Sequence, residues 1–520
     1  VTGAFRGAVA AADRLAAHAG AELLARGGNA VDASLAAAAV MAVTAPHMGG
    51  LGGDLFAVIK EPGISPLVVN ASGRAGSGAD PERLRADGKT EMPFRHDISA
   101  VTVPGFVAGV TALHERFAAL PLSEALMAAC KLAREGFPVS PLLARASLVL
   151  EPDERESAFG GTAPLRAGRR LALPRLADVF DAIAERGATG FYGGSAGAAL
   201  LQLGGGEFTE ADLDGARAEL LPALGLRAFE HELWTAPPNS QGYLALAGAW
   251  IAERLEPPAG PADGDWAVLL VEAARHAAFD RGEVLHEHAD GSALLAERRL
   301  AQRVEAIGRA PARRLGDAYR DGGTAHICAI DGDTCGVSLI MSNAAGFGSH
   351  LTLPRHGIFL HNRGIGFSLR PGHAAEYGPR RRPPHTLAPL LTTSADGALA
   401  AVLGTMGGDA QPQILLQVLA RMFAAGQGPQ EAVAAPRWIL SGEGGNGFDT
   451  WREDGLPIVR LEHDCPRSWA SGLKARGYRV EFARVGDQAF GHAQAIRIKA
   501  DGELEGATDP RAEVGAVAGD

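Results

Sequence analysis

At 520 residues, with 60 acidic against 49 basic side chains and a formal net charge of −11, the chain lacks the basic surplus that would draw nucleic acid. Its 47% hydrophobic and 21% charged residues are a globular balance, and the Ala-rich stretch Ala33–Ala45 falls short of the ~18 apolar residues a membrane span needs. Length alone would permit three domains at about 100–200 residues each. In chain order, apolar residues recur at helical spacing from Val9 to Leu24, and Gly27-Gly28-Asn29 ends that helix. Asp32 opens a second helix, apolar all round and therefore a core element, running to about Val43. A glycine loop, Gly49-Gly50-Leu51-Gly52-Gly53-Asp54, precedes strands at Leu55–Lys60 and Leu67–Ala71 with a turn at Glu61-Pro62-Gly63.

The stretch from about Pro104 to Leu200 reads as helix broken by Pro and Gly, followed by a strand at Glu232–Ala236 and a loop over residues 237–242. Periodicity fails between Ile307 and Gly323, which reads as a linker. Beyond it a hairpin is expected, with strands Thr324–Asp331 and Val337–Ser342 around Gly332-Asp333-Thr334. Further strands are expected at Gly357–Leu360, Leu390–Thr393 and Leu399–Leu403, and an amphipathic helix at Gln413–Phe423. Helices first and buried-type strands later suggest stacked sheets covered by helices. The cysteines Cys130, Cys328, Cys335 and Cys465 have no metal spacing and read as free thiols.

Thr324 stands out by its setting: an irregular linker before it, Gly323 beside it and a hairpin after it. A threonine hydroxyl is a weak nucleophile without an adjacent base. Cleaving Gly323–Thr324 would create one, because a free α-amine titrates near about 7.7–8.0 and can take the hydroxyl proton at neutral pH.

Several strings in this order carry a resemblance: Gly27-Gly28-Asn29-Ala30-Val31-Asp32-Ala33, Pro46-His47-Met48 with the glycine loop, Val103-Pro104-Gly105, Thr324-Ala325-His326, Gly407-Gly408 and Ala435-Pro436-Arg437. Together they resemble the gamma-glutamyltranspeptidase family of N-terminal-nucleophile hydrolases over essentially the full length. The resemblance implies an α+β fold, a four-layer αββα sandwich. It also implies one precursor that cuts itself into a large subunit (residues 1–323) and a small subunit (residues 324–520), together one structural domain. A homo-oligomer of such heterodimers is compatible with this reading. Thr324 would be nucleophile and, through its new amine, base; the amides of Gly407 and Gly408 would form the oxyanion hole; Ser342 would support the nucleophile. Arg74 would grip the donor carboxylate, and Asn343 would contact substrate. No metal and no organic cofactor is implied.

The resemblance also marks departures. His361-Asn362-Arg363-Gly364-Ile365-Gly366-Phe367 lacks the carboxylate that family members present to a γ-glutamyl α-amine, and His385 and Thr386 stand where paired serines are usual. An ammonium group would lose its counter-charge there, at a cost of about 1–3 kcal/mol or more. These segments are similar to a divergent branch that includes oxamate amidohydrolase and the transpeptidase-like cephalosporin acylases. On that branch Arg363, His385 and Thr386 would hold an acid without an α-amine. The expected activity is thus amide hydrolysis on a small carboxylate-bearing substrate through an acyl-threonine, with a true γ-glutamyl transferase and an unprocessed binding paralogue as alternatives. Gly193-Gly194-Ser195-Ala196-Gly197 matches a serine-hydrolase elbow but lacks the strand that must precede it. His286-Glu287-His288 lacks zinc spacing and is expected at the surface, and Arg380-Arg381-Arg382 reads as a solvated loop. No basic start with a continuous apolar stretch and a cleavage site is visible, so a cytoplasmic location is expected, with a periplasmic or secreted one left open by the opening Val1.

Overall fold

Alternation along Thr324-Ala325-His326-Ile327-Cys328-Ala329-Ile330 sends Ala325, Ile327 and Ala329 to one core and Cys328 and Ile330 to another. A strand buried on both faces must lie in the middle of a layered structure, and the architecture follows from that. The computed structural model describes residues 5–307, 322–353, 355–441 and 458–519. Its main strands are β1 (Ala8–Ala11), β2 (Asp54–Lys60), β3 (Leu67–Ala71), β4 (Glu219–Pro222), β5 (Leu224–Ala228), β6 (His231–Thr235), β7 (Gly322–Ile330), β8 (Gly336–Ala345), β9 (Leu390–Thr393), β10 (Leu399–Thr405), β11 (Ala493–Ile498), β12 (Leu504–Thr508) and β13 (Ala516–Gly519). One sheet has the order β13-β1-β7-β8-β2-β3-β4 and the other β12-β11-β10-β9-β6-β5. Neighbours within both sheets run antiparallel.

The two sheets face each other across Phe56, Val58, Ile340, Leu391, Val402 and Ile496. The outer face of the first sheet is covered by α1 (Arg14–Ala25), α2 (Ala30–Thr44), α3 (Phe106–Phe117) and α4 (Leu122–Glu135). The outer face of the second carries α5 (Tyr243–Arg254), α6 (Gly264–Ala278), α7 (Gln411–Leu419) and α8 (Arg467–Ala475). This is the four-layer αββα arrangement. Residues before and after Thr324 contribute strands to both sheets, so neither sheet belongs to one half of the chain.

α2 starts where its sequence dictates. Asn29 accepts from the amides of Val31 and Asp32, Asp32 accepts from the Asn29 amide, and every residue of the helix is buried. The first expected helix needs correction: Ala8–Ala11 is strand, and the helix begins only after Asp13, which caps it by accepting from Leu15 N at 2.8 Å. Ala and Val at helical spacing also fit a strand buried on both faces, and the pairing of Ala8–Ala11 with β7 and β13 decides between them. The helix expected at Gln413–Phe423 is α over Gln411–Leu419 and continues as a π turn to Ala424. All four cysteines are free thiols. Most of the linker expected at 307–323 lies outside the described residues.

Candidate active site

The hairpin β7–β8 carries the centre of the site. Thr324 lies opposite Ser342, and the register then slips so that Ala344 faces Gly323. Asn343 is the extra residue of that bulge, a feature that re-aims side chains next to functional sites. Out of the ladder, its amide donates to Met48 O and its Nδ2 to Pro46 O, both at 3.0 Å. The glycine loop makes this approach feasible: a Cβ on Gly53 would lie 2.6 Å from Ser342 O and 2.7 Å from Asn343 Oδ1.

Ser342 Oγ is the hub. It lies 2.9 Å from Thr324 Oγ1, donates to the Gly323 carbonyl at 2.7 Å, and accepts from Ala344 N at 2.8 Å and Arg363 Nη2 at 3.2 Å. Hydroxyl, serine and the carbonyl preceding Thr324 are therefore in one hydrogen-bonded cluster, and Thr324 is only 1% exposed. Arg363 also donates to Thr386 Oγ1 at 2.9 Å. Arg363 and Thr386 line a cavity of about 270 Å³, whose wall includes Ile365, Phe367, Leu285, Arg281 and Asp409.

Gly407 and Gly408 follow β10 at φ 140° and 54°, backbone that a side-chain-bearing residue adopts only under strain. Behind them, Gln241 Nε2 donates to both Gly408 O and Thr386 O at 3.0 Å. Arg281 in turn donates to Gln241 Oε1 at 3.0 Å and pairs with Asp409 at 2.9 Å. Gln241 thus fixes the distance between the Gly407-Gly408 turn and the Thr386 wall. Arg437, from the Ala435-Pro436-Arg437 string, pairs with Asp509 at 2.7 Å inside the fold and donates to Phe490 O, bracing the segment next to the loop.

Two expected substrate contacts are placed differently. His385 is fully buried and turned to Asp54, with Nε2 3.1 Å from Asp54 Oδ2 and Nδ1 accepting from Leu387 N. It stands behind the cavity wall, which its neighbours Pro384 and Thr386 line. Burial and the Arg363 charge push its pKa down to about 3, leaving a neutral ring with the proton on Nε2. Burial opposes ionisation of Asp54, yet His361, His385 and Arg363 outweigh it and hold the carboxyl at about 2. Asp54 Oδ1 accepts from the amides of Gly73 and Gly105 at 3.0 and 3.2 Å, so the carboxylate ties two loops to β2. His361 completes the brace, its Nδ1 accepting from Arg363 N and its Nε2 donating to Thr102 O.

Arg74 lies in a second cavity of about 440 Å³, with Glu219, Arg380 and Arg382. Its guanidinium is clasped by Glu287 at 2.6 Å and Glu219 at 3.3 Å. The structure therefore does not bring Arg74 into the cavity lined by Arg363 and Thr386. The expectation of a surface His286-Glu287-His288 holds for His288 but not for Glu287, whose side chain is buried against Arg74 and Arg381. Ser195 starts a helix that follows another short helix, Ala188–Tyr192, so the strand that a nucleophile elbow requires is absent there. His326, two residues beyond Thr324, bonds Ser338 Oγ at 2.9 Å between the sheets, and burial lowers its pKa to about 3. Asp54, Gln241 and Arg281 were not singled out from sequence. Only the position of Asp54 directly after Gly52-Gly53, and of Gln241 in the loop over 237–242, hinted at them.

Known proteins resemble this chain from end to end. The family profile described as gamma-glutamyltranspeptidase matches residues 16–519. The chain is 35% identical to the oxamate amidohydrolase proenzyme of Klebsiella pneumoniae, over 99% of this chain and 98% of that one. It is 34% identical to the glutathione hydrolase-like YwrD proenzyme of Bacillus subtilis, over 97% and 96% of the two chains. Its structure matches the crystal structure of cephalosporin acylase from Bacillus halodurans with a TM-score of 0.88 and 31% identity, covering 99% of this chain and 96% of the other. Among the described residues no helix is long and apolar enough to cross a membrane. An αββα sandwich, a hydroxyl cluster at the head of its central strand and end-to-end similarity to these proteins lead to one conclusion: the chain is an amidohydrolase-type enzyme belonging to the gamma-glutamyltranspeptidase family.

Proposed function

We propose that the chain processes itself at Gly323–Thr324 and then hydrolyses an amide of a small acid through an ester on Thr324. The observation that carries the reading is the cluster in which Ser342 Oγ touches both Thr324 Oγ1 and the Gly323 carbonyl oxygen, at 2.9 and 2.7 Å. The uncut chain is then its own first substrate. Thr324 Oγ1 attacks the Gly323 carbonyl carbon while Ser342 donates to its oxygen; the C–N bond breaks as the Thr324 hydroxyl proton passes to the amide nitrogen, and water hydrolyses the resulting ester. The products are a Gly323 carboxylate and a free Thr324 amine.

In the second reaction that amine takes the Thr324 hydroxyl proton as Oγ1 attacks the substrate amide, and the leaving nitrogen receives it. The amides of Gly407 and Gly408 stabilise the oxyanion, a contribution typically worth a few kcal/mol per donor. Water then releases the acid and regenerates the hydroxyl. Arg363 binds the substrate carboxylate through its planar fork, with Thr386 and Asn343 as neutral partners. Asp409 on the cavity wall is already paired with Arg281, which disfavours a substrate bearing a free ammonium group. The name of the oxamate amidohydrolase, which acts on an acid without an α-amine, supports this class of acyl group. In this reading hydrolysis is favoured over transfer.

The test is intact mass under denaturing conditions, followed by turnover of oxamate, glutaryl and γ-glutamyl amides. Two fragments with the smaller beginning at Thr324, and preference for acids without an α-amine, are expected. A single uncut 53.7 kDa species without activity would overturn the self-processing reading. Strong γ-glutamyl preference would overturn the assigned substrate class.

A further inference from the structure

Away from Thr324, three side chains from distant parts of the chain converge on one point. His96 Nε2 lies 2.7 Å and His350 Nδ1 3.2 Å from the same oxygen, Oε1 of Glu154. All three atoms fall within 4.8 Å of one another. In a tetrahedral zinc site with bonds of about 2.0–2.1 Å, ligand atoms stand about 3.3 Å apart, so the spacing needs little adjustment. Both histidines hold left-handed backbone, φ 59° at His96 and 62° at His350, a conformation uncommon for residues other than glycine. Glu154 is fixed independently: it sits in the first turn of the helix Pro152–Phe159 and accepts from Glu151 N at 2.7 Å through its other oxygen.

We propose that His96, Glu154 and His350 form a binding site for a borderline divalent cation of the zinc class, with water completing the coordination. Two imidazole nitrogens and a single carboxylate suit zinc and its neighbours, whereas calcium and magnesium prefer oxygen-rich sets. The His96 side chain is 60% exposed, which leaves an entry path, while those of Glu154 and His350 are 10% and 3% exposed and so pre-positioned.

The location gives the site a task. His96 ends the segment whose Thr90, Glu91 and Met92 line the Arg363 cavity and whose Arg95 lines a separate cavity with His47, Met48 and Met406. That segment is also tied by His96 N to Ser349 O and by Asn362 Nδ2 to Phe94 O, each at 2.8 Å, and Met92 packs with Phe367 and Tyr377. A cation held by His96 from this segment, Glu154 from a helix and His350 from beyond Thr324 would clip the cavity strap to the body of the protein.

Untagged, chelator-stripped protein is titrated with zinc sulfate by calorimetry. One zinc per chain with Kd of about 10 μM or tighter is expected, undiminished by excess calcium, and at least about tenfold weaker binding in His96→Asn and in Glu154→Gln. His96→Asn is the safer variant, since asparagine tolerates the left-handed backbone and the replaced side chain is exposed. In parallel, zinc should slow trypsin cleavage after the exposed Lys89 in the parent protein and not in His96→Asn. Absence of binding at 100 μM zinc, affinity in both variants equal to that of the parent protein, or binding without protection at Lys89 would each overturn the proposal. Neither readout depends on the amidase reaction.

Discussion

Two arginines with the same formal charge sit in two separate cavities and are held in different ways. Arg363 donates to the hydroxyls of Ser342 and Thr386, whereas Arg74 is closed between the carboxylates of Glu219 and Glu287. A guanidinium clasped by two carboxylates has its charge neutralised locally, whereas the Arg363 guanidinium lines its cavity while donating to two hydroxyls. The contrast teaches that the setting of an arginine, more than its place in a family motif, decides whether it can greet a substrate.

The comparison can be broken in four ways, from the largest effect down. Thr324→Ala removes the nucleophile common to both reactions: the chain should stay uncut by intact mass, and turnover should fall by about 10⁴-fold or more. Arg363→Ala should lower kcat/KM by about 10²–10³-fold, and Arg363→Lys should rescue it only partly because a point charge lacks the fork. Equal losses in Arg363→Ala and Arg74→Ala would erase the distinction.

The third probe is pH. Burial pushes the pKa values of His47, His326 and His385 down to about 3, and that of His492 to about 4. Unfolded histidines titrate near about 6.5, so the folded state is the one that resists protonation. The associated stability is fully present above about pH 6.5 and is lost as pH falls toward the folded values, each group steepening the slope by up to about 1.4 kcal/mol per pH unit. Calorimetric Tm should therefore fall sharply between pH 6 and about pH 4, while Asp54, held at about 2, adds its loss only below about pH 4. A flat Tm across that range would contradict the neutral, buried His385. The smallest effect is expected from Glu219→Gln: its carboxylate is 42% exposed but also pairs with the buried Arg382 at 2.8 Å, so stability should fall by about 1–2 kcal/mol.

Much of this was legible in the residues. Asp32 announced the first turn of α2, although Asn29, read as the end of the preceding helix, is its N-cap, and the Thr324–Ser342 hairpin was readable from its alternation and turn. What could not be read was pairing across long separations. The bulge at Asn343 depends on the loop at Pro46–Met48, nearly three hundred residues earlier. The bond from His385 to Asp54, 331 residues away, has no local signature either. Ala8–Ala11 looked helical for the same reason, since only β7 and β13 make it a strand. Local patterns report local structure, whereas the identity of a partner across a sheet is tertiary information.

The order β13-β1-β7-β8-β2 interleaves strands from the two sides of Gly323. With the proposed cut made, two polypeptides would remain threaded through one hydrogen-bonded ladder, and neither could leave without dismantling the sheet. Unfolding would then be a one-way event for the mature protein. The precursor reaches the native sheet as one chain, but separated fragments would have to find each other by diffusion at low concentration. Thermal inactivation of the mature form should therefore be governed by its unfolding rate and show hysteresis that uncut Thr324→Ala escapes.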